Sequence, residues 1–229
     1  MKDNKKIERM NDLLEHKPGE SVTDSLIKII YDKYEREKLF GRLLREFDYD
    51  LSFDWFNEYY QIMISDRKHL KQDLTPNHIA RLLCELMKTN NKDFSEVYEP
   101  ATGTGSILIQ DWNINKSNYL FKRTYHCEEL SFSAIPFLLI NLMIRGITAT
   151  VLHCDVLSRK CYGGFWIFNS KNIVNGYSDF NVMPYSKDIE NHFGINFVSG
   201  AYQPHIESHY IPNDELIKMI SEEGWIKNK

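Results

Sequence analysis

The sequence predicts an α/β protein, a mostly parallel sheet with helices on its faces, behind an N-terminal helical region. Two observations carry that expectation. Through residues 1–70, apolar side chains recur at three and four and strand-like runs are few. From residue 94 the period changes, and the order reads strand, loop, helix, strand, helix, strand, strand.

The elements follow in chain order. Residues 5–16 read as a short polar helix, broken by Lys17-Pro18-Gly19-Glu20. Residues 21–47 read as one helix, with Leu26, Ile29, Ile30, Tyr34, Leu39, Leu43 and Leu44 on its apolar face. Residues 50–67 offer another, carrying Phe53, Phe56, Tyr60 and Met63. Thr75 before Pro76 predicts an N-cap and a proline at the first helical position. The helix that follows shows Ile79, Leu82, Leu83, Leu86 and Met87 and ends over 89–93. Strands are expected at 94–99, 120–128, 147–154, 165–168 and 196–199. Between them lie a Gly/Thr loop at 101–106, a helix from 107, and a strong helix over 131–145 that Gly146 ends. Residues 188–193 supply a short helix, and 214–221 a last one, with Trp225 docking on the body. The expected organisation is a helical region over 1–70 and an α/β domain over 71–229. Only 74 residues follow Asp155, so the sheet is expected to be short, with an edge that needs cover from the N-terminal helices or another subunit.

The chain carries 28 basic and 32 acidic side chains, which excludes a globally basic nucleic-acid binder but not a local patch. No signal core opens the chain. The best apolar stretch, Ile135–Ile144, is too short for a span and contains Pro136 and Asn141, so a cytoplasmic protein without a membrane partner is expected. Cys84, Cys127, Cys154 and Cys161 form no CxxC pair and read as buried free thiols of a reducing compartment. His205, Glu207 and His209 make HxExH rather than HExxH and read as a solvated turn, so no metal is expected.

The informative segment is Tyr98-Glu99-Pro100-Ala101-Thr102-Gly103-Thr104-Gly105-Ser106. It leaves a strand and opens a helix, where Gly103 and Gly105 permit a tight turn and the helix amides favour a carboxylate or phosphate. No Gly-Lys-Ser/Thr follows, which excludes a Walker A loop, and Leu108 stands where a dinucleotide fingerprint needs its third glycine. The second strand ends Cys127-Glu128-Glu129 and the third His153-Cys154-Asp155. A carboxylate ending the second strand can accept from two ribose hydroxyls, and one ending the third can accept from an adenine amine. Together they would make a nucleoside-binding crevice at the carboxyl side of the sheet. Alternatively, each acid simply starts a surface turn. His126 and His153, which precede the acids, read as packed groups rather than bases.

Residues 73–157 resemble the S-adenosylmethionine domain of DNA adenine-N6 methyltransferases, above all the modification subunits of type I restriction systems. Asp73-Leu74-Thr75-Pro76 resembles the family's Thr-Pro segment, and 99–106 resembles its Asp-Pro-Ala-Cys-Gly-Thr-Gly-Gly loop. Cys127-Glu128-Glu129-Leu130-Ser131, with Asn141-Leu142 and Arg145-Gly146 downstream, resembles its Gly-Gln-Glu segment, and Cys154-Asp155-Val156-Leu157 its Gly-Asp-Thr-Leu segment. The resemblance implies a Rossmann-like fold and S-adenosylmethionine as cofactor. It places Thr75 near the methionine end, and Glu99, Ala101, Gly103 and Gly105 against the methionine moiety. Glu129 would hold the ribose hydroxyls and Asp155 the adenine amine. It further implies DNA reached through a partner subunit, a homo- or hetero-oligomer, and a phage or mobile-element setting.

The family's Asn/Asp-Pro-Pro-Tyr/Phe motif is missing. In the family its polar residue and a backbone carbonyl accept from the target amine, and its ring stacks on the flipped base. Asn169 stands after the fourth expected strand with no Pro-Pro-aromatic behind it. Asn181-Val182-Met183-Pro184-Tyr185 has the residue types, one position too long. Asn169, Asn181 and Tyr185 are therefore the candidate catalytic residues. Three readings stay open: a cofactor-binding partner subunit without catalysis, an active adenine-N6 methyltransferase with an altered loop, and an interaction module without ligand.

Overall fold

The computed structural model describes residues 2–16, 19–64, 73–88, 96–116, 123–169, 176–198 and 200–208. The expected helix over 214–221, Trp225 and His209 lie outside them. The chain divides into two compact units. The first joins Met1–Asp93, Thr102–Phe121 and Ser131–Asn141, and the second joins Phe94–Ala101, Lys122–Leu130 and Leu142–Lys229.

The first unit is helical. After α1 (Lys2–Leu13), the expected 21–47 helix is two helices, α2 (Val22–Tyr31) and α3 (Lys33–Glu46). Asp32 separates them, because its carboxylate accepts from the amides of Tyr34 and Glu35 and so starts a new helix. Among the described residues of the expected 50–67 helix, Asn57–Met63 is helical (α4). The residues before it are held in turns: Asp50 accepts from Ser52 N at 2.9 Å, and Trp55 Nε1 donates to Asp50 O at 2.7 Å. Helix α5 (Asn77–Lys88) opens just past Pro76, whose carbonyl accepts from Ala80 N. Leu26, Ile30, Leu39, Phe40 and Leu43 are fully buried. Phe137 receives the edges of Phe56 and Tyr60 with centroids at 5.2 and 5.5 Å. Phe137 lies on α7 (Ile135–Ile144), whose Pro136 falls in the first turn, where a missing amide costs the helix nothing.

Among the described residues the second unit holds a six-stranded sheet: β1 (Glu96–Glu99), β2 (Thr124–Glu129), β3 (Thr148–Cys154), β4 (Lys160–Phe168), β5 (Asp179–Val182) and β6 (Asn196–Phe197). The order is β1-β2-β3-β4-β5, with β6 beside the start of β4. β1, β2 and β3 run parallel, β4 is antiparallel to both β3 and β5, and β6 is parallel to β4. In a doubly wound order the first strand lies inside the sheet. Among the described strands, β1 instead pairs with β2 alone. Helix α8 (Lys187–Phe193) packs Ile189 on a buried cluster of Leu152, Cys154, Cys161, Trp166 and Met183. All four cysteines are buried free thiols. Among the described residues no helix is long and apolar enough to cross a membrane.

β4 begins five residues before the expected strand, because Gly163 and Gly164 disguise it. A Cβ at Gly163 would stand 2.3 Å from the Tyr202 ring, and one at Gly164 2.5 Å from Met183 Sδ. Glycine here marks close approach rather than a loop. β5 was not expected at all. It is four residues long, and Asn181, expected in a loop, lies within it.

Helix α6 (Ser106–Asn115) opens from Gly105, which has φ 97°. Gly103 has φ 58°, and a Cβ there would lie 2.5 Å from Leu74 Cδ2. Gly103→Ala combines left-handed strain with this clash and is expected to cost about 2–4 kcal/mol in denaturant unfolding. Adding Leu74→Ala should return the clash component and leave the strain.

Candidate functional site

In the helical unit the glycine turn is organised by a residue that sequence reasoning passed over. Asp54 is 2% exposed, and its carboxylate accepts from four donors. Phe56 N (2.9 Å) and Asn141 Nδ2 (2.8 Å) bond one oxygen; Ser106 Oγ (2.8 Å) and Thr104 Oγ1 bond the other. Asn141 Nδ2 also donates to Thr104 O at 2.8 Å, and Asn57 Nδ2 donates to Ser106 Oγ at 2.7 Å and Thr75 O at 2.9 Å. The turn is thus closed by side chains from α4, α7 and the segment between α3 and α4. Thr75, expected as an N-cap, is half-buried with its carbonyl taken by Asn57. Only buried polar residues spaced 50 and 87 positions apart signal this arrangement, and no local pattern reveals it.

In the sheet unit the carboxyl ends of three neighbouring parallel strands carry acids. Glu99 ends β1 and is half-buried, Glu129 ends β2 and is 7% exposed, and Asp155 follows β3. Glu99 pairs with Cys127, and Glu129 with His153. Ala101 is exposed just past β1. Asp155 is half-buried and caps the β3–β4 turn, accepting from Leu157 N at 3.0 Å and Ser158 Oγ at 2.7 Å. These bonds hold its carboxyl below the usual range, and each oxygen keeps acceptor capacity.

Glu128, next to Glu129, points to the other face and is structural. Arg159 Nη1 (2.7 Å), Cys154 Sγ (3.3 Å) and His126 Nε2 (3.3 Å) surround it. Burial alone would raise the Glu128 carboxyl, but these three partners hold it below its usual value. Arg159 also donates to Phe193 O and Gly194 O, clamping the end of α8.

The three candidate catalytic residues do not assemble. β4 runs antiparallel to β3, so its carboxyl end lies at the amino edge of the parallel strands. Asn169 therefore sits beside Gly146, whose carbonyl its Nδ2 approaches at 3.4 Å, on the edge opposite Glu129. Asn181 lies inside β5, 3% exposed, accepting from Glu207 N and Ser208 N and donating to Ser208 O. Tyr185 reaches the carboxyl edge and is 37% exposed. Its hydroxyl donates to Tyr162 O at 3.2 Å and accepts from Tyr202 N at 3.0 Å, and Gly200 lies against its ring. Counting back from Tyr185, buried Val182 occupies the position of the family motif's polar residue. His205 bonds Glu207 at 2.9 Å, and Glu207 accepts from Phe180 N.

The model of the N-6 DNA methylase family matches residues 52–211. The chain belongs to that family. It is similar to the type II restriction enzyme and methyltransferase RM.BcgI of Heyndrickxia coagulans, 38% identical over 66 residues, 29% of this chain and 10% of the relative. It is also similar to the type I restriction enzyme MjaVII methylase subunit of Methanocaldococcus jannaschii, 25% identical over 175 residues, 71% of this chain and 30% of that subunit. The chain thus spans less than a third of the length of either curated relative. No solved structure matches it. The family match begins at Ser52, so this N-6 methylase segment includes Asp54 and Asn57.

Two outcomes follow. Asp54→Ala strands buried hydroxyl and amide donors and is expected to cost about 2–4 kcal/mol by denaturant unfolding, with Asp54→Asn costing less. His153 is buried, and burial lowers its pKa from 6.5 to about 4. A depressed histidine gives stability that is present above 6.5 and is lost as pH falls through about 4. Across that window it should cost about 3 kcal/mol. The pH dependence of the unfolding midpoint should therefore flatten in His153→Gln relative to the parent chain.

Proposed function

We propose that this N-6 methylase segment binds S-adenosylmethionine without transferring its methyl group and serves a DNA-modifying assembly as a partner subunit. The observation that carries the cofactor half is the row of acids at the carboxyl ends of three adjacent parallel strands, in a chain that runs from the first of them straight into a glycine turn. The donor chemistry fits: Glu129 is a buried acceptor suited to two ribose hydroxyls, and Asp155 retains lone pairs for an adenine amine. Glu99, Ala101, Gly103, Gly105 and Thr75 are assigned to the methionine end. The β1–β3 half would then act as the mononucleotide-binding half of a Rossmann-like methyltransferase fold. When bound, the cofactor would supply an activated methyl on a sulfonium.

The acceptor side supports loss of transfer. Positioning dominates such a reaction, because the leaving group is already good. Val182 offers hydrocarbon where the target amine needs an acceptor. Tyr185 is held by its own chain. The relatives are named as a restriction enzyme and methyltransferase and as a methylase subunit, which supports a DNA-directed, multi-subunit setting for this one.

Titration calorimetry with S-adenosylmethionine should show one site, weakened by Glu129→Ala and by Asp155→Ala. No heat and no thermal shift at millimolar ligand would overturn the binding claim. With radiolabelled cofactor and a DNA pool, no label should transfer, and label in DNA would restore the active-enzyme reading.

A further inference from the structure

Four strands present one residue each at the same level of the carboxyl edge: Glu129 on β2, His153 on β3, Tyr162 on β4, and Tyr185 just past β5. The β3–β4 register slips between His153 and Cys154, leaving Tyr162 as the extra residue of a bulge. A bulge frees a carbonyl from the ladder, and the Tyr185 hydroxyl takes that of Tyr162 at 3.2 Å. Tyr202 N donates back to the Tyr185 hydroxyl, and the Tyr202 ring drops into the notch at Gly163. Its own hydroxyl lies 2.9 Å from His153 Nδ1. On the far side of the imidazole, Nε2 lies 3.1 Å from Leu130 O, the carbonyl next to Glu129. A carbonyl only accepts, so Nε2 carries the proton, Nδ1 is the acceptor, and Tyr202 donates. The Tyr162 ring covers His153 with centroids 4.8 Å apart. Each donor and acceptor in the chain from Tyr185 to Leu130 is matched, and of its residues only Tyr185 is among the candidate catalytic or cofactor-binding side chains.

The geometry points to His153 and Tyr202 as positioning residues that fix the backbone at Leu130, and with it the carboxylate of Glu129, for a nucleoside's ribose hydroxyls. This rests on the cofactor reading of Glu129. A merely structural role would weaken every ligand alike or only lower stability. A positioning role acting through Glu129 weakens specifically the ligand whose ribose Glu129 holds.

The test is calorimetry with S-adenosylhomocysteine and its 2′-deoxy analogue on the whole chain, its Tyr202→Phe and His153→Leu variants, and His153→Gln, whose amide can still donate toward Leu130. The parent chain should prefer the ribonucleoside. Tyr202→Phe and His153→Leu should reduce that preference several-fold and leave affinity for the deoxy analogue unchanged, and His153→Gln should keep part of the preference that His153→Leu loses. Tyr202→Phe removes a single oxygen and carries the test by itself if His153→Leu does not fold. Parent-like discrimination in a folded Tyr202→Phe chain would overturn this inference alone. Absence of binding by the parent chain would overturn the cofactor reading and this inference with it.

Discussion

The glycine turn keeps its shape because one buried carboxylate answers four donors. Asp54 is removed from water, a costly state for a charge unless its lone pairs are met. Here they are met by two hydroxyls of the turn, one amide of α7, and one backbone amide of its own segment. The bonds are charge-assisted and convergent, so they orient Thr104 and Ser106 more firmly than neutral contacts would. Gly103 and Gly105 make the left-handed backbone available, and Asp54 selects one arrangement from what it permits. The loop over Thr102–Ser106 is therefore built into the helical unit and takes its shape from it.

In the sheet unit the corresponding constraint is direction. Placing β4 antiparallel next to β3 turns the chain within five residues, and that choice has two consequences. It carries the end of β4, with Asn169, to the amino edge, away from the acids. It also returns β5 to the direction of β1–β3, so that Tyr185 emerges at the acid-bearing edge. Only one of the three candidate catalytic side chains thus reaches the edge that bears Glu129, and that one is held by Tyr162 and Tyr202.

The strands and helices with a strong local period were legible in the sequence. β2, β3 and α7 lie within two or three residues of expectation at most boundaries, because apolar spacing and Gly146 mark them. The break at Asp32 was not legible, since a capping aspartate in an otherwise helical run costs the apolar pattern nothing. β4 and β5 were obscured for opposite reasons: glycines in β4 serve side chains arriving from elsewhere, and β5 is too short to show a period. Of the candidate site, the glycine turn and the strand-end acids could be read from type and position. Between Glu128 and Glu129 the sequence offers only the spacing back from Asn141, which favours Glu129; in the structure Glu128 is bonded to Arg159, Cys154 and His126. Asp54 could not be read at all, because its partners lie on segments far along the chain.

Cofactor capture and methyl transfer make different demands on such a fold, and under the function proposed above the first would be kept without the second. Capture needs acceptors at strand ends, and the sheet sets their positions through its register, whatever follows the last parallel strand. Transfer needs a polar acceptor and a free ring at one loop. At that loop Val182 packs into the sheet, as a β-branched residue does well, and Met183 fills the space that Gly164 opens. Replacing an acceptor by buried hydrocarbon there removes an unmet polar group as well as a catalytic one. Stability therefore favours the sequence that transfer would disfavour, and Tyr185 has two hydrogen-bond partners within its own chain.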